Sequence, residues 1–531
     1  MQTVSESWKN AHKQTLLNES FVEVSLQITD PDALADAEST DNGSVYFSDT
    51  PEVVSEIDTP VVSYGTLEQN LWVLDGTRKS IPESDYKDGG YIGDVISNAE
   101  GVFETKIPTI TINFEKVYTK VIPGLTIQWG TAYNEFAEHF VVTAYNGDTV
   151  LAKKEISDND SATSIVAMDI VNYNRITIQI LRWCLPNHRA RVNEIFIGWN
   201  RIYSKANLMK YSHEQIVDPI STSLPKMEIK FSIDNSDNSY NPLNPDSMAK
   251  YLTERQEVKT RYGLKSSGNN VEWIKGGTFY LSEWYAKQNG ISADFVARDV
   301  LEFMSAHYKD NVTEITSRSL YNLAEQVLQA ADLPLNTDGT VKWVIDESLK
   351  SISTTAPLPD DTIANCLQLI ANAAGCVIYP DREGILHIEP IKNVPTDYAI
   401  TAFNSYSKSE ITLSKSIKQI NVKVYEYVMG DKGIESAITE ISSPVGDVGE
   451  IITIDNPLIT DNERAAIVGQ WIGNYLKNRK TLKAVGRADV RLDALDIVAN
   501  ENEYSTDNMR MTHVKFEFNG AFRGVGEGKV I

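Results

Sequence analysis

The sequence predicts a mainly β, multidomain protein with small α+β parts, and three observations predict it. Strict period-2 alternation marks segments such as Phe21–Ile28 (FVEVSLQI) and Lys226–Ile233 (KMEIKFSI). Between Leu71 and Trp199, short apolar runs recur between turn words such as Asn146-Gly147-Asp148, which indicates a sandwich or jelly roll. Helical spacing appears in a few stretches only, chiefly 316–331, 360–374 and 461–476. A chain of 531 residues is too long for one core and long enough for three or four domains.

Taken in order, residues 1–14 read as a short polar helix or arm, and Phe21–Ile28 as one strand. Residues 29–68 are acidic and turn-prone, with short strands expected at Ser44–Phe47 and Val61–Ser63, and read as an extended connector. Residues 69–200 form the sandwich. Its expected strands are Thr109–Phe114, Gly124–Gln128, His139–Tyr145, Thr149–Ile156, Ser164–Met168, Arg175–Trp183 and Val192–Gly198. A second β module, 201–305, runs as a strand at 226–233, an elaborate polar turn, a strand at 272–285 and a strand at 291–299. A lone strand cannot stand by itself, so residues 17–28 are expected to complete this module, which makes the sandwich an insertion. Residues 306–400 hold two amphipathic helices and a hairpin across PDREG. Thr316 or Ser317 is placed to cap the first helix, and Gly375 to end the second. Residues 401–531 form a last α+β region, with strands at 411–413, 420–427, 445–454 and 513–518 around the third helix.

Composition narrows the function. The formal net charge is −24, from 49 basic and 73 acidic residues, and no long Lys/Arg cluster is present. Specific or nonspecific nucleic-acid binding is therefore not expected. An acidic surface keeps a protein soluble and could line a passage through which DNA slides without sticking. Cys184, Cys366 and Cys376 make no disulfide framework, and the last two sit in apolar surroundings. Neither a signal peptide nor a transmembrane segment is expected.

Candidate chemistry is sparse. The turn Asp234–Asn244 opens like a calcium loop, with Asp234, Ser236 and Asn238 at alternate positions. Position six is Ser239 where glycine is needed, and position twelve is Pro245 where a bidentate glutamate is needed. Asx turns followed by proline-fixed backbone explain it better, making Asp234, Asn238, Asn241 and Pro242 structural, with Leu243 expected to anchor in the core. The seven histidines show no zinc spacing, and His387 has no adjacent nucleophile. Asp493 and Asp496, read in a strand, would face opposite sides and could not act as a carboxylate pair. No G-x-S-x-G, Walker A or dinucleotide fingerprint is present. No catalytic residue, metal site or cofactor is expected.

Several of these words carry a resemblance. DNSYNPLNP (237–245), YLTERQEVKTRYG (251–263), GTFYLSEW (277–284) and ADFVARDVLEFM (293–304), in that order, resemble the hub-like tail-tip or baseplate proteins of tailed bacteriophages and related injection systems. ANAAGCVIYPDREGILHIEPI (371–391) resembles the small helix-and-hairpin domain of the same proteins. GRADVRLDALDIVAN (486–500) and FNGAFRGVGEGK (518–529) resemble their closing sheet. The resemblance implies hub-like β domains at 201–305 and 401–531, a structural and non-enzymatic role in a virion tail tip, and assembly in the host cytoplasm. It further implies a homo-oligomer, trimer rather than hexamer, around an axial channel with other tail proteins.

The inserted domain resembles discoidin-like, carbohydrate-binding-like jelly rolls, through ITINF (110–114), WGTAYNEFAEHFVVTAYNGD (129–148) and RITIQILRWCLPNHRARVNEIFIG (175–198). Loops at one end of that fold often hold sugars or lipids, and host-surface glycan is the partner this implies. Trp72, Tyr86, Tyr91, Trp129, Tyr133 and Phe136 are the aromatic candidates. Trp129, Tyr133, Phe136, Arg189 and Arg191 are the residues expected to contact a glycan or partner. Packing of the aromatics in the sandwich, and pairing of the arginines with Glu194 or Asp94, is the competing expectation. A carbohydrate-active enzyme with a binding module is the alternative, with Glu104, Glu135 and Glu138 as the acids beside aromatics. A non-phage adhesin is the third.

Overall fold

The computed structural model describes the chain except for residues 15–18, 30–32, 35, 45–49, 55–63, 66–78, 81–89, 245–246, 266–270, 287–289, 313, 337–339 and 431–432. The expected strand Val61–Ser63, most of Ser44–Phe47, and the aromatics Trp72 and Tyr86 lie outside the described residues. The protein is mainly β with small α+β parts, and it divides into two compact units. One comprises residues 1–25, 202–334 and 341–531; the other comprises 26–201 with 335–340.

The larger unit is organised by one long sheet. The strand Ser20–Thr29, whose first part belongs to this unit, neighbours Glu257–Lys265. Next in order come Val271–Ala286, Ser292–Arg298, Lys226–Asp234, Leu208–Ile216, Thr506–Phe518, Phe522–Val530, Lys480–Arg487 and Glu410–Leu413. Every pairing from Glu257–Lys265 onward is antiparallel. Alternation places Ile229, Phe231 and Ile233 in the core, where Phe231 stacks on Phe295 with centroids 4.9 Å apart. Register slips by one residue between Thr260 and Arg261, opposite Gly277. Gly277 has φ +154°, and a Cβ there would lie 2.6 Å from the Phe279 ring, so the bulge needs glycine.

Among the described residues four helices decorate this unit. Helix α1 (Glu6–His12) is capped by Ser5, whose hydroxyl accepts the Trp8 amide at 3.1 Å, and it buries Trp8 and Ala11. Helix α2 (Leu320–Gln329) starts later than its sequence suggests. Arg318–Ser319 pairs with Ser353–Thr354 as a short ladder, so Ser319 is the cap and not Thr316 or Ser317. Helix α3 (Ile363–Ala374) is capped by Thr362 and closed by Gly375 in the left-handed region, φ +63°. Helices α2 and α3 share a core with the hairpin Val377–Pro380/Leu386–Glu389, to which Trp343–Ile345 adds in parallel. Helix α4 (Asn462–Lys477), capped by Asp461, covers one face of the three-stranded sheet Gly433–Pro444, Ile417–Gly430 and Glu450–Ile454. The single strand expected over 445–454 is instead a hairpin arm ending at Pro444, a turn through Gly449 at φ +136°, and a short strand.

Among the described residues the smaller unit has two antiparallel sheets and a two-residue parallel pair, Tyr64–Gly65 with Lys79–Ser80. One runs Glu38–Asp41, Thr109–Tyr118, Tyr173–Trp183, Ala137–Asn146, Thr149–Ile156. The other joins Thr163–Ile170, Ile122–Trp129, Arg189–Tyr203 and Tyr91–Ile96, with most of Arg189–Tyr203 belonging here. Inward residues of both sheets make one core, including Ile110, Ile112, Phe140, Ile178, Leu125, Ile127, Trp129 and Ile195. Residues 29–68 are not a free connector throughout: Glu38–Asp41 is an edge strand, and Val53 and Val54 are buried.

Candidate functional site

In the sandwich, the residues expected to meet a ligand divide by burial. Trp129 is 0% exposed. Its indole packs edge-on against Phe140 and Trp183, and its Nε1 donates to Ser164 Oγ at 2.7 Å. It presents no surface to a sugar and serves the core. Phe136 is half-buried against that core, its amide donating to Cys184 Sγ at 3.3 Å. Tyr133 is partly exposed in the short 3₁₀ turn Thr131–Tyr133, with the Arg191 guanidinium 5.8 Å from its ring centroid.

Arg191 pairs with Glu135. Its NH1 lies 3.2 and 3.1 Å from the two carboxylate oxygens, and Trp183 Nε1 donates to Oε2 at 3.0 Å. Glu135 and Arg191 are both buried, and His188 Nε2 stands 4.0 Å from Oε1. A buried carboxylate with both oxygens engaged is held in place, not poised over a cleft. Arg189, partly exposed, donates to the Gly93 carbonyl at 3.1 Å. The ladder to Tyr91–Ile96 slips between Arg189 and Arg191, so simple alternation does not place the pair.

In the larger unit the polar turn is built of Asx turns. Asp234, Asp237 and Asn241 carboxyl or amide oxygens accept the amides of Ser236, Ser239 and Leu243 at 2.9, 3.0 and 3.0 Å. Asn238 adopts φ +57°, and the Asn241 amide donates to its carbonyl at 3.2 Å. Leu243, expected to anchor this turn, is 71% exposed. Tyr240 is the anchor instead. It is buried, hydrogen-bonds the Tyr203 hydroxyl, and packs edge-on against Phe295 at 5.3 Å. Asn235 directs it by accepting its amide at 2.8 Å.

His387 braces the hairpin turn: its Nε2 is 3.0 Å from Asp381 Oδ2, and its ring stacks on Tyr379 at 5.0 Å. Asp381 itself accepts the Glu383 and Ile385 amides at 2.9 Å each.

One densely connected polar site was not anticipated by the sequence. It centres on Arg382, in the hairpin turn, which is 3% exposed. Its Nε donates to Asp493 Oδ1 at 2.6 Å, NH1 to the Lys275 carbonyl at 2.8 Å, and NH2 to the Val490 and Leu492 carbonyls at 2.9 Å each. Gln215 donates to Asp493 at 3.2 Å and accepts the Ala494 amide at 2.9 Å. Behind it, His213 Nδ1 and the Tyr211 hydroxyl each lie 2.7 Å from the Tyr262 hydroxyl. Burial and then the Arg382 charge push His213 down to about 3, so it is neutral. Burial alone would raise Asp493, but the Arg382 guanidinium holds it below the usual carboxylate range. Asp493 and Asp496 lie in a turn, not a strand, so they do not face opposite ways. The Asp493 amide donates to Asp496 Oδ2 at 2.8 Å, and the Met1 amine lies 2.6 Å from Asp496 Oδ1 and 4.0 Å from Asp493 Oδ2. A cleft of about 600 Å³ opens beside this turn, lined by both signs of charge, among them Lys226, Arg382, Glu389 and Arg491. No sequence signal marks Arg382, because its partners lie more than 100 residues away.

No protein-family model and no curated protein matches the sequence. Among solved structures the chain is similar to phage tail and baseplate proteins. One is the 43 kDa tail protein of prophage MuSo2 from Shewanella oneidensis, at 12% identity and TM-score 0.40, covering 62% of this chain and 95% of that one. Others are a tail protein from Neisseria meningitidis MC58 (10%, TM-score 0.42, covering 62% and 93%) and a prophage tail protein from Listeria monocytogenes EGD-e (10%, TM-score 0.39, covering 62% and 91%). Among the described residues no helix is long and apolar enough to cross a membrane.

Proposed function

We propose that the chain is a structural subunit of a phage or phage-like tail tip or baseplate, without catalytic activity, forming part of a ring or plug around an axial channel. It acts in several copies, a trimer before a hexamer, beside other tail proteins, and is assembled in the host cytoplasm and carried in the virion. The observation that carries this reading is the Arg382 joint. Two of the stretches that resemble tail hub proteins, 371–391 and 486–500, meet at that one guanidinium through Asp493 and the Val490 and Leu492 carbonyls, and the Lys275 carbonyl ties in the strand Val271–Ala286. Their distinctive polar residues are spent on fastening segments together, which is what a scaffold requires. The sandwich contributes host-surface attachment: Tyr133, Phe136 and Arg189 retain surface for a glycan, and weak contacts repeated over many copies add up.

Electron microscopy of assembled particles carrying a tag within residues 29–68 tests the main reading; absence of the tag from every particle would refute it. A glycan array probed with the full chain tests attachment, and no binding by wild type, or binding unchanged in Tyr133→Ala, would refute that part. Polysaccharide cleavage lost in Glu135→Gln would favour a carbohydrate-active enzyme.

A further inference from the structure

Of the strands of the larger unit that end their sheets with one side unpaired among the described residues, two are unlike each other. The first is Glu410–Leu413, last in the long sheet. It pairs with Lys480–Arg487 in the register Ile411↔Leu482, Leu413↔Lys480, and the Ser414 amide donates to the Arg479 carbonyl at 2.9 Å. In an antiparallel ladder, bonded and non-bonded pairs alternate. Counting back from 414/479, residues 412 and 410 point their backbone groups inward. The amides and carbonyls of Ile411 and Leu413 therefore point out of the sheet edge. Their side chains continue the row of Leu482, which is 0% exposed, yet are themselves 55% and 65% exposed. The apolar layer stops uncovered at an open edge.

The second is Gly433–Pro444, the outer strand of the three-stranded sheet. The Val445 amide donates to the Lys418 carbonyl at 2.9 Å, and the ladder continues in step as Ser443↔Ile420 and Ile441↔Val422. By the same alternation, Ser436, Ile438, Glu440 and Ser442 direct their backbone groups outward. Ile438, on that row, is 51% exposed.

Charge separates the two. Residues 404–415 carry Lys408 and Lys415 against Glu410, and the paired strand adds Lys480 and Lys483. Some of these cations have exposed partners, Lys408 with Glu503 and Lys415 with Glu450, but such surface pairs are weak. Residues 433–444 carry Glu435 and Glu440 and no base, and the bases of its paired strand, Lys418 and Lys423, lie one strand further from the edge with Glu426. Each edge would repel its own kind and attract the other.

We propose that these edges pair between copies: the 410–413 edge of one chain receives the 433–444 edge of a second copy, a head-to-tail strand addition. The contact adds a strand to the long sheet, satisfies the outward groups of Ile411 and Leu413, and covers their side chains with Ile438 and its neighbours. Because the two surfaces differ, the contact is heterologous, the kind that closes into a ring when its rotation permits. The inference deepens the ring reading above and rests on it only for the closure of the ring.

The test uses single cysteines in a Cys184→Ser full-length chain, whose remaining cysteines are buried. Leu413→Cys and Ile438→Cys are treated with a short bis-maleimide, alone and mixed. A covalent dimer in the mixture and in neither variant alone is the expected result. A dimer from Leu413→Cys alone would mean like-with-like pairing and would overturn the proposal. Multiple copies by native mass spectrometry without a mixed dimer would overturn the strand pairing while leaving the ring reading standing; a monomer at high concentration would overturn both. Leu413→Pro gives an independent check. The Leu413 amide points outward, so proline there removes a donor from the edge and none from the chain's own ladder. Self-association at least tenfold weaker, with an unchanged unfolding midpoint, is expected; unchanged association would overturn the proposal.

Discussion

Replacing Asp299 by asparagine tests how the larger unit tolerates a buried carboxylate. Asp299 ends the strand Ser292–Arg298 and caps the 3₁₀ turn Val300–Met304. It is buried, with Oδ2 accepting the Met227 amide at 2.6 Å and Oδ1 the Leu301 amide at 2.8 Å. Burial pushes its pKa from 3.8 up to about 7, against the pull of the two amides and Arg298, while Glu302 adds to the rise. The folded protein then holds a proton that the unfolded chain has released. The stabilisation from that proton is complete below about pH 4 and is lost as pH rises to about 7. A shift of about three units corresponds to about 4 kcal/mol, or about 1.4 kcal/mol for each pH unit within the window. Asparagine keeps one acceptor for the turn and cannot ionise. Urea unfolding of wild type and Asp299→Asn at pH 5, 6, 7 and 8 should show the variant gaining on wild type by that slope up to pH 7 and then running parallel. Curves parallel throughout would mean that the two amides outweigh burial, and would refute the reasoning.

Arg382→Met should destabilise the larger unit by about 3–5 kcal/mol in denaturant unfolding, because Asp493 loses its partner. Arg382→Met combined with Asp493→Leu should recover much of the loss. Tyr240→Ala should cost roughly 3 kcal/mol or more in the same assay, whereas Leu243→Ser should change stability by less than about 0.5 kcal/mol. Gly486→Ala should cost about 1–3 kcal/mol, since a Cβ there would lie 2.1 Å from the Asn404 carbonyl oxygen, and amide exchange should accelerate across 404–414.

Elements with strong periodicity could be read directly. Lys226–Asp234 buries Met227, Ile229, Phe231 and Ile233 as its pattern requires, and helix α3 places Ile363, Cys366, Leu367 and Ile370 inward and ends where expected, although it starts three residues late because Asp361–Thr362 pairs with His307–Tyr308. Where local pattern misled, tertiary contact decided. The start of α2 moved because Arg318–Ser319 found a strand partner, and the 445–454 strand broke at a glycine turn. The polar turn was legible in its Asx chemistry but not in its anchor. Leu243 and Tyr240 are both apolar residues in one turn, and only the Tyr203 hydroxyl and the Phe295 ring select the tyrosine. Of the expected contact residues, Trp129 shows the limit of composition, since an aromatic beside a loop looks the same whether it faces in or out. Arg382 shows the limit of spacing: beside the distant Asp493 carboxylate its partners are carbonyls, which every residue carries.

The wiring of Arg382 also bears on the order in which the chain assembles. Each bond it makes reaches at least 107 residues along the sequence, so nothing is gained until both the hairpin and the 490–493 turn have reached their places. An interaction that forms only after the rate-limiting barrier acts as a latch on the finished structure. Weakening the latch should leave the speed of refolding untouched and shorten the lifetime of the native state.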